Sequence, residues 1–277
     1  MKRIFFLLIT VVNIYAYDAF VNSKELKNAL DDKDLVIIDV SESYKKSHIK
    51  GSLSFNVDSL GTFDKQDIQD KFRDIGIKND SHVVIYGRNT KGDIKNSAYL
   101  AYVLISFGFE DVSILDGGYM AWVFEYDSLT TPREPDAQEG DVLLQDTNIS
   151  VGIDYIKRTK DAKLIDARSP PLYYGVSDKK EEKYIGHIAG AKNSYYAYKF
   201  LKDNTLRSQN ELVEIYKDGL ELDETSKIIV YGDSVKDAAV EWYIIYKHMG
   251  YKNAKLYHNS FKEYVDLGLK TERFKWE

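Results

Sequence analysis

Two polar loops carry the side chains best placed for chemistry. Each follows a short apolar run that ends in tyrosine and glycine, His82-Val-Val-Ile-Tyr-Gly87 and Lys227-Ile-Ile-Val-Tyr-Gly232. After Gly87 come Arg88, Lys91 and Lys95, interleaved with Asn89, Thr90 and Gly92. After Gly232 come Asp233, Ser234, Lys236 and Asp237. Each loop leads into a helix-like run, and a helix start offers free backbone N–H groups and the positive end of the dipole. Arg88 and Lys91 over a glycine-rich backbone could therefore cradle a small anion; a solvated basic loop is the alternative. In the second loop Asp233 and Asp237 oppose an anion, and Lys236 offsets one of them. Ser234 is the hydroxyl nucleophile on offer, but an unactivated serine is weak, and Ser234 reads first as a helix cap. A hydrolase triad of Ser234, His258 and Asp166 is the rival reading. No Gly-x-Ser-x-Gly elbow supports it.

The chain contains no cysteine, which excludes thiolate metal sites, disulfides and every cysteine nucleophile. Its five histidines show no metal-ligand spacing. No metal and no cofactor is expected.

The elements that position these loops occur twice. Leu35-Val-Ile-Ile-Asp39 is matched by Ala162-Lys-Leu-Ile-Asp166, and Ser47-His-Ile-Lys-Gly51 by Gly186-His-Ile-Ala-Gly190. The two apolar runs ending at Tyr86 and Tyr231 are followed by helical runs over Ala98–Phe107 and Ala238–Met249. Gly108-Phe-Glu-Asp-Val-Ser-Ile-Leu115 is matched by Gly250-Tyr-Lys-Asn-Ala-Lys-Leu-Tyr257. Order is kept while loop lengths vary, as in a duplicated domain. Short buried strands alternating with helices predict an α/β fold, each copy a mainly parallel sheet with helices on both faces. Ligands in such sheets bind at the carboxyl ends of the strands, where both loops lie. Pro132 and Pro135 fall in a polar stretch that reads as the boundary. The expected organisation is a signal segment over 1–16, a first domain over 17–127, a linker over 128–148 and a second domain over 149–277.

Lys2 and Arg3 precede the apolar run Ile4–Ala16, which is shorter than the roughly 20 residues that span a bilayer. With the small residue Ala16 before Tyr17, this reads as a cleaved export signal, giving a periplasmic or secreted protein with no membrane span thereafter. A net charge of −6 argues against nucleic acid as a partner.

The landmarks resemble the rhodanese superfamily, specifically its two-domain thiosulfate and 3-mercaptopyruvate sulfurtransferases. Asp39 with His48-Ile-x-Gly51, and Asp166-Ala-Arg168 with Gly186-His-Ile-Ala-Gly190-Ala191, are similar to the family's opening motif. Leu115-Asp-Gly-Gly-Tyr-Met-Ala-Trp122 is similar to its closing motif, and Tyr257-His-Asn-Ser-Phe-Lys-Glu-Tyr264 is a degraded copy. The resemblance implies a catalytic cysteine at the head of a six-residue loop in the second domain. Gly232 stands there, with Gly87 as its first-domain counterpart. It also implies a domain-shaping role for Arg168 and a substrate-binding arginine where this chain has Tyr184. Persulfide transfer needs a soft thiolate of lowered pKa, and glycine supplies nothing for it. The expected function is therefore a binding or interaction module for a small anion, a sulfur compound or a protein partner, with Arg88, Lys91, Asp166, Arg168, Ser234 and Lys236 as candidate binding residues. The runner-up is a sulfurtransferase-class enzyme using a non-thiol route or a partner's persulfide.

Overall fold

A computed structural model of the chain describes residues 18–61, 64–88, 91–177 and 182–275. The expected signal segment lies outside the described residues.

The first half contains β1 (Phe20–Val21), α1 (Ser23–Ala29), β2 (Leu35–Asp39), β3 (His48–Ile49), β4 (Leu53–Ser54), α2 (Lys65–Asp74), β5 (His82–Tyr86), α3 (Lys91–Ser106), β6 (Val112–Leu115), α4 (Gly118–Tyr126) and β7 (Thr130–Thr131). The second half contains β8 (Ser150–Val151), α5 (Ile153–Arg158), β9 (Lys163–Asp166), α6 (Pro170–Tyr174), β10 (His187–Ile188), β11 (Lys192–Asn193), α7 (Gln209–Val213), β12 (Ile228–Tyr231), α8 (Val235–Tyr243), β13 (Ala254–Tyr257), α9 (Ser260–Asp266) and β14 (Thr271–Glu272). Two five-stranded sheets form, in the orders β1-β6-β5-β2-β4 and β8-β13-β12-β9-β11, and every pairing within them is parallel. The orders are the same when read by position, so the duplication seen in the sequence is a duplication of topology.

Alternation along the central strands divides each sheet into two faces. In β5, Val84 and Tyr86 pack outward with Leu26, Tyr119 and Trp122, beneath α1 and α4. Val83 and Ile85 point inward, toward a single core that continues into the second half. In β12, Ile229 and Tyr231 face Phe261 and Val151, while Ile228 and Val230 join the shared core. The centre of that core is α3 packed on α8, and α8 runs on as a π-helical turn over Ile244–His248. From Ala98 to Ile105 every residue of α3 is buried, because one side meets its own sheet and the other meets α8. Tyr102 meets Trp242 edge-on, with ring centroids 5.3 Å apart. The Tyr243 hydroxyl donates across the boundary to the Ala19 carbonyl at 2.7 Å.

The expected linker is not a free tether. Thr130 and Thr131 form β7, paired antiparallel with β3, as β14 pairs with β10 in the second half. Val142 and Leu144 are buried, and Arg73 Nε donates to the Val142 carbonyl at 3.0 Å. Much of the stretch 128–148 is therefore laid along the first domain, which extends past 127. Its polar composition concealed this because the segment is held largely by backbone hydrogen bonds.

Candidate functional site

At the carboxyl end of β12 the loop that would hold a nucleophile is closed. Ser234 caps α8, which starts at Val235, so the last three residues of the expected six-residue cradle, Val235 to Asp237, are already coiled into helix. The Ser234 hydroxyl donates to Asp237 Oδ2 at 2.8 Å, and Asp237 Oδ1 pairs with Lys95 of the first domain at 2.5 Å. A Cβ on Gly232 would stand 2.9 Å from the Ala238 nitrogen and 3.0 Å from both Asp237 Cβ and the Ser234 carbonyl oxygen. A side chain there would be crowded by the backbone of Ser234 and Ala238 and by Asp237 Cβ, so the loop would have to shift to admit one.

Asp166 and Arg168 lie beside this loop, both buried. The guanidinium grips the carboxylate with Nε on Oδ1 at 3.0 Å and Nη2 on Oδ2 at 2.7 Å. It also donates to the backbone carbonyls of Tyr184 and Gly186, and lies flat against Phe261, 3.7 Å from the ring centroid. Asp233 stands 3.6 Å away. A guanidinium so committed braces the domain and has little left for a ligand. Tyr184 turns its hydroxyl to the surface, donating to Asp266 and accepting from Lys262.

In the first-domain loop the structure places Arg88, while Asn89 and Thr90 of the expected anion cradle lie outside the described residues. Arg88 turns its guanidinium into the domain, onto the Ser43 and Ser47 carbonyls, and stacks it on Tyr119, 4.0 Å from the ring centroid. Ser47 and Tyr119 are the repeat partners of Gly186 and Phe261. Arg88 thus fills in the first domain the place that Arg168 fills in the second, reached from a different loop. It acts electrostatically on buried Asp39, whose carboxyl is nonetheless pushed up, chiefly by burial. Lys91 opens α3, and its side chain lies outside the described residues. Lys236 reaches Asp58 at 2.7 Å and Asn96 at 3.0 Å, tying the domains together. The rival triad does not assemble: Ser234 bonds Asp237, His258 meets Ser150 at 3.0 Å, and Asp166 holds Arg168. His48 and His187 each bond a local carbonyl and stack on a tyrosine, Tyr44 and Tyr173. Among the described residues no group of three or more acidic or histidine side chains could hold a metal.

What the sequence did not disclose is a cleft of about 290 Å³ between the domains. Gly87, Asp116 and the start of α3 contribute from the first domain, and the segment around Tyr195–Asn204 roofs it from the second. Its walls are mainly aliphatic and aromatic. Asp116, in the loop between β6 and α4, accepts the Leu206 backbone N–H at 2.8 Å. Burial, reinforced by nearby Asp203, raises its carboxyl to about 6 against the pull of the Leu206 and Gly117 N–H groups. An acid whose folded value lies above its unfolded value of about 3.9 adds stability below that value and loses it as pH rises toward 6. Asp116→Asn is therefore expected to raise the unfolding free energy at pH 7 by on the order of 1–3 kcal/mol, and to flatten stability between pH 4 and 6 relative to the wild type. An unchanged pH profile in paired denaturation curves would refute this.

A second buried polar group lies behind α8. Lys199 Nζ pairs with Glu241 at 3.1 Å and donates to Ser194 Oγ at 2.7 Å, and Ser194 donates to Glu241 at 2.6 Å. Burial lowers the Lys199 pKa even though Glu241 opposes the shift.

The model of the rhodanese-like domain matches residues 22–125 and 154–267. A putative thiosulfate sulfurtransferase of Haloferax volcanii is 30% identical over 278 residues, spanning 91% of this chain and 95% of the relative. The sulfur carrier protein TtuD of Thermus thermophilus is 29% identical over 283 residues, spanning 91% and 96%. Among solved structures, wild-type EanB superimposes with a TM-score of 0.78 at 19% identity, over 92% of this chain and 69% of that one. EanB has also been solved with hercynine bound. YnjE gives a TM-score of 0.79 at 19% identity, over 93% and 68%. These two structural likenesses bear on the fold alone.

Proposed function

Because the chain belongs to the rhodanese-like family, with two copies of the domain in tandem, we propose that it is an exported, non-catalytic member of that family, acting as a binding module. The observation that carries this is the second-domain loop: it lacks the cysteine, and Gly232 sits where a Cβ would press on the Ala238 nitrogen. Arg168 is bound to Asp166 and two carbonyls, and Tyr184, where the resemblance implies a substrate-binding arginine, bonds Asp266 instead. The export half of the reading rests on Lys2, Arg3 and the apolar run Ile4–Ala16. The similarity to a sulfur carrier protein keeps one rival in view, a sulfurtransferase-class role that uses a partner's persulfide.

Purified chain given thiosulfate and cyanide, or 3-mercaptopyruvate and a thiol, is expected to turn over no faster than buffer. Gly232→Cys is expected to stay inert, since the thiol carrier would have to displace backbone. Turnover by the wild type that survives further purification would overturn the non-catalytic reading. A gain of activity in Gly232→Cys would show that the loop opens readily. Sulfur transfer that appears only on adding a persulfidated partner protein would favour the rival.

A further inference from the structure

The geometry points to the interdomain cleft as a site for a small organic cation with an apolar or aromatic body, an alkyl- or arylammonium held by Asp116 against the rings of Tyr195, Tyr198 and Phe200. This builds on the reading of the protein as a binding module and names what it would bind.

The cleft combines three properties. First, it has a body-sized hollow, about 290 Å³, walled by Phe20, Ile94 and Ile114 below and by the three rings above. Apolar walls with a few fixed polar groups are the usual make-up of a small-molecule site. Second, its charge is negative inside and positive only at the rim. Asp116 and Asp93 line it, whereas Lys202 is exposed to solvent. Asp93 accepts the Arg88 backbone N–H at 2.7 Å and packs against Gly87. Asp116 accepts from the Leu206 backbone, and no lysine, arginine or histidine among the described residues pairs with it. A carboxylate held partly out of water without a counter-ion costs stability, which a bound cation would offset. Third, the walls suit a cation rather than a neutral body. Aromatic faces attract ammonium groups, most strongly where water is excluded. An anion would meet two carboxylates. A metal ion would find too few ligands among the described residues.

Isothermal titration of the whole chain tests this, with benzyltrimethylammonium, benzoate and benzyl alcohol as probes. Saturable one-to-one binding of benzyltrimethylammonium is expected, with benzoate and benzyl alcohol at least tenfold weaker. Asp116→Asn preserves the acceptor for Leu206 and should keep the fold, and it is expected to weaken the ammonium at least tenfold. Tyr198→Ala, a change at an exposed ring, is expected to weaken it about two- to fivefold. Three outcomes would overturn the assignment: no saturable binding of the ammonium at millimolar concentration, equal or tighter binding of benzoate or benzyl alcohol, or full affinity in Asp116→Asn. The two readings fail separately. Turnover of thiosulfate would remove the non-catalytic role and leave this site standing, while absence of ammonium binding would remove the site and leave the missing nucleophile as it is.

Discussion

Arg168→Ala is expected to destabilise the protein by about 3–5 kcal/mol, the cost of removing one partner from a buried ion pair. The size follows from what stays behind. Asp166 has no exposure to solvent and would keep its Arg168 backbone N–H bond, but would lose its bidentate cation. The Tyr184 and Gly186 carbonyls lose their donors, and Phe261 loses the guanidinium stacked on it. Arg168→Lys should recover only part of the loss, since an ammonium cannot grip both carboxylate oxygens and two carbonyls in one plane. Arg88→Ala should cost less, about 1–3 kcal/mol, because its contacts are two carbonyls and a ring without a bidentate carboxylate. Urea unfolding of the three variants gives the ranking. An Arg168→Ala loss below about 1 kcal/mol would show that the guanidinium is not what braces the second domain.

Glu241→Ala is the other large effect, again about 3–5 kcal/mol. It strands the Lys199 ammonium in a core where water does not reach, with only Ser194 Oγ and the Tyr195 carbonyl as acceptors. The double replacement Lys199→Met with Glu241→Leu should be far milder, near neutral or even stabilising, because it removes both desolvated charges and leaves apolar bulk. A double-mutant cycle by denaturation measures the difference. If the double variant loses as much as Glu241→Ala alone, the group is held by shape rather than by charge. Glu241 belongs to α8, which also forms the domain boundary, so failure of this pair should disturb both halves.

The fold was legible because four landmarks recur in order, and a parallel sheet built from short buried strands is what such runs can form. The closing of the second loop was half legible. Gly232 and the capping role of Ser234 could be read directly, but not that Asp237 would pair with Lys95 of the first domain. Arg88 was misread for an instructive reason. Aligning the repeats puts Ser41 opposite Arg168, so the first domain seems simply to lack an arginine. The guanidinium instead arrives from the next loop and lands between equivalent partners, Ser47 and Tyr119. The joint signal, an arginine missing after Asp39 and another present after Gly87, is visible only when two loops are considered together. The interdomain cleft left no signal at all, since its roof and floor lie far apart in the chain and meet only through the docking of α3 on α8.

That docking has an evolutionary corollary. A duplicated unit that still folded alone could be lost, exchanged or recombined as a module. Here Tyr102, Trp242 and Tyr243 sit in the joint itself, and each half would present them to water if separated. The two copies share one core, so a duplicated sequence here does not imply two separable proteins.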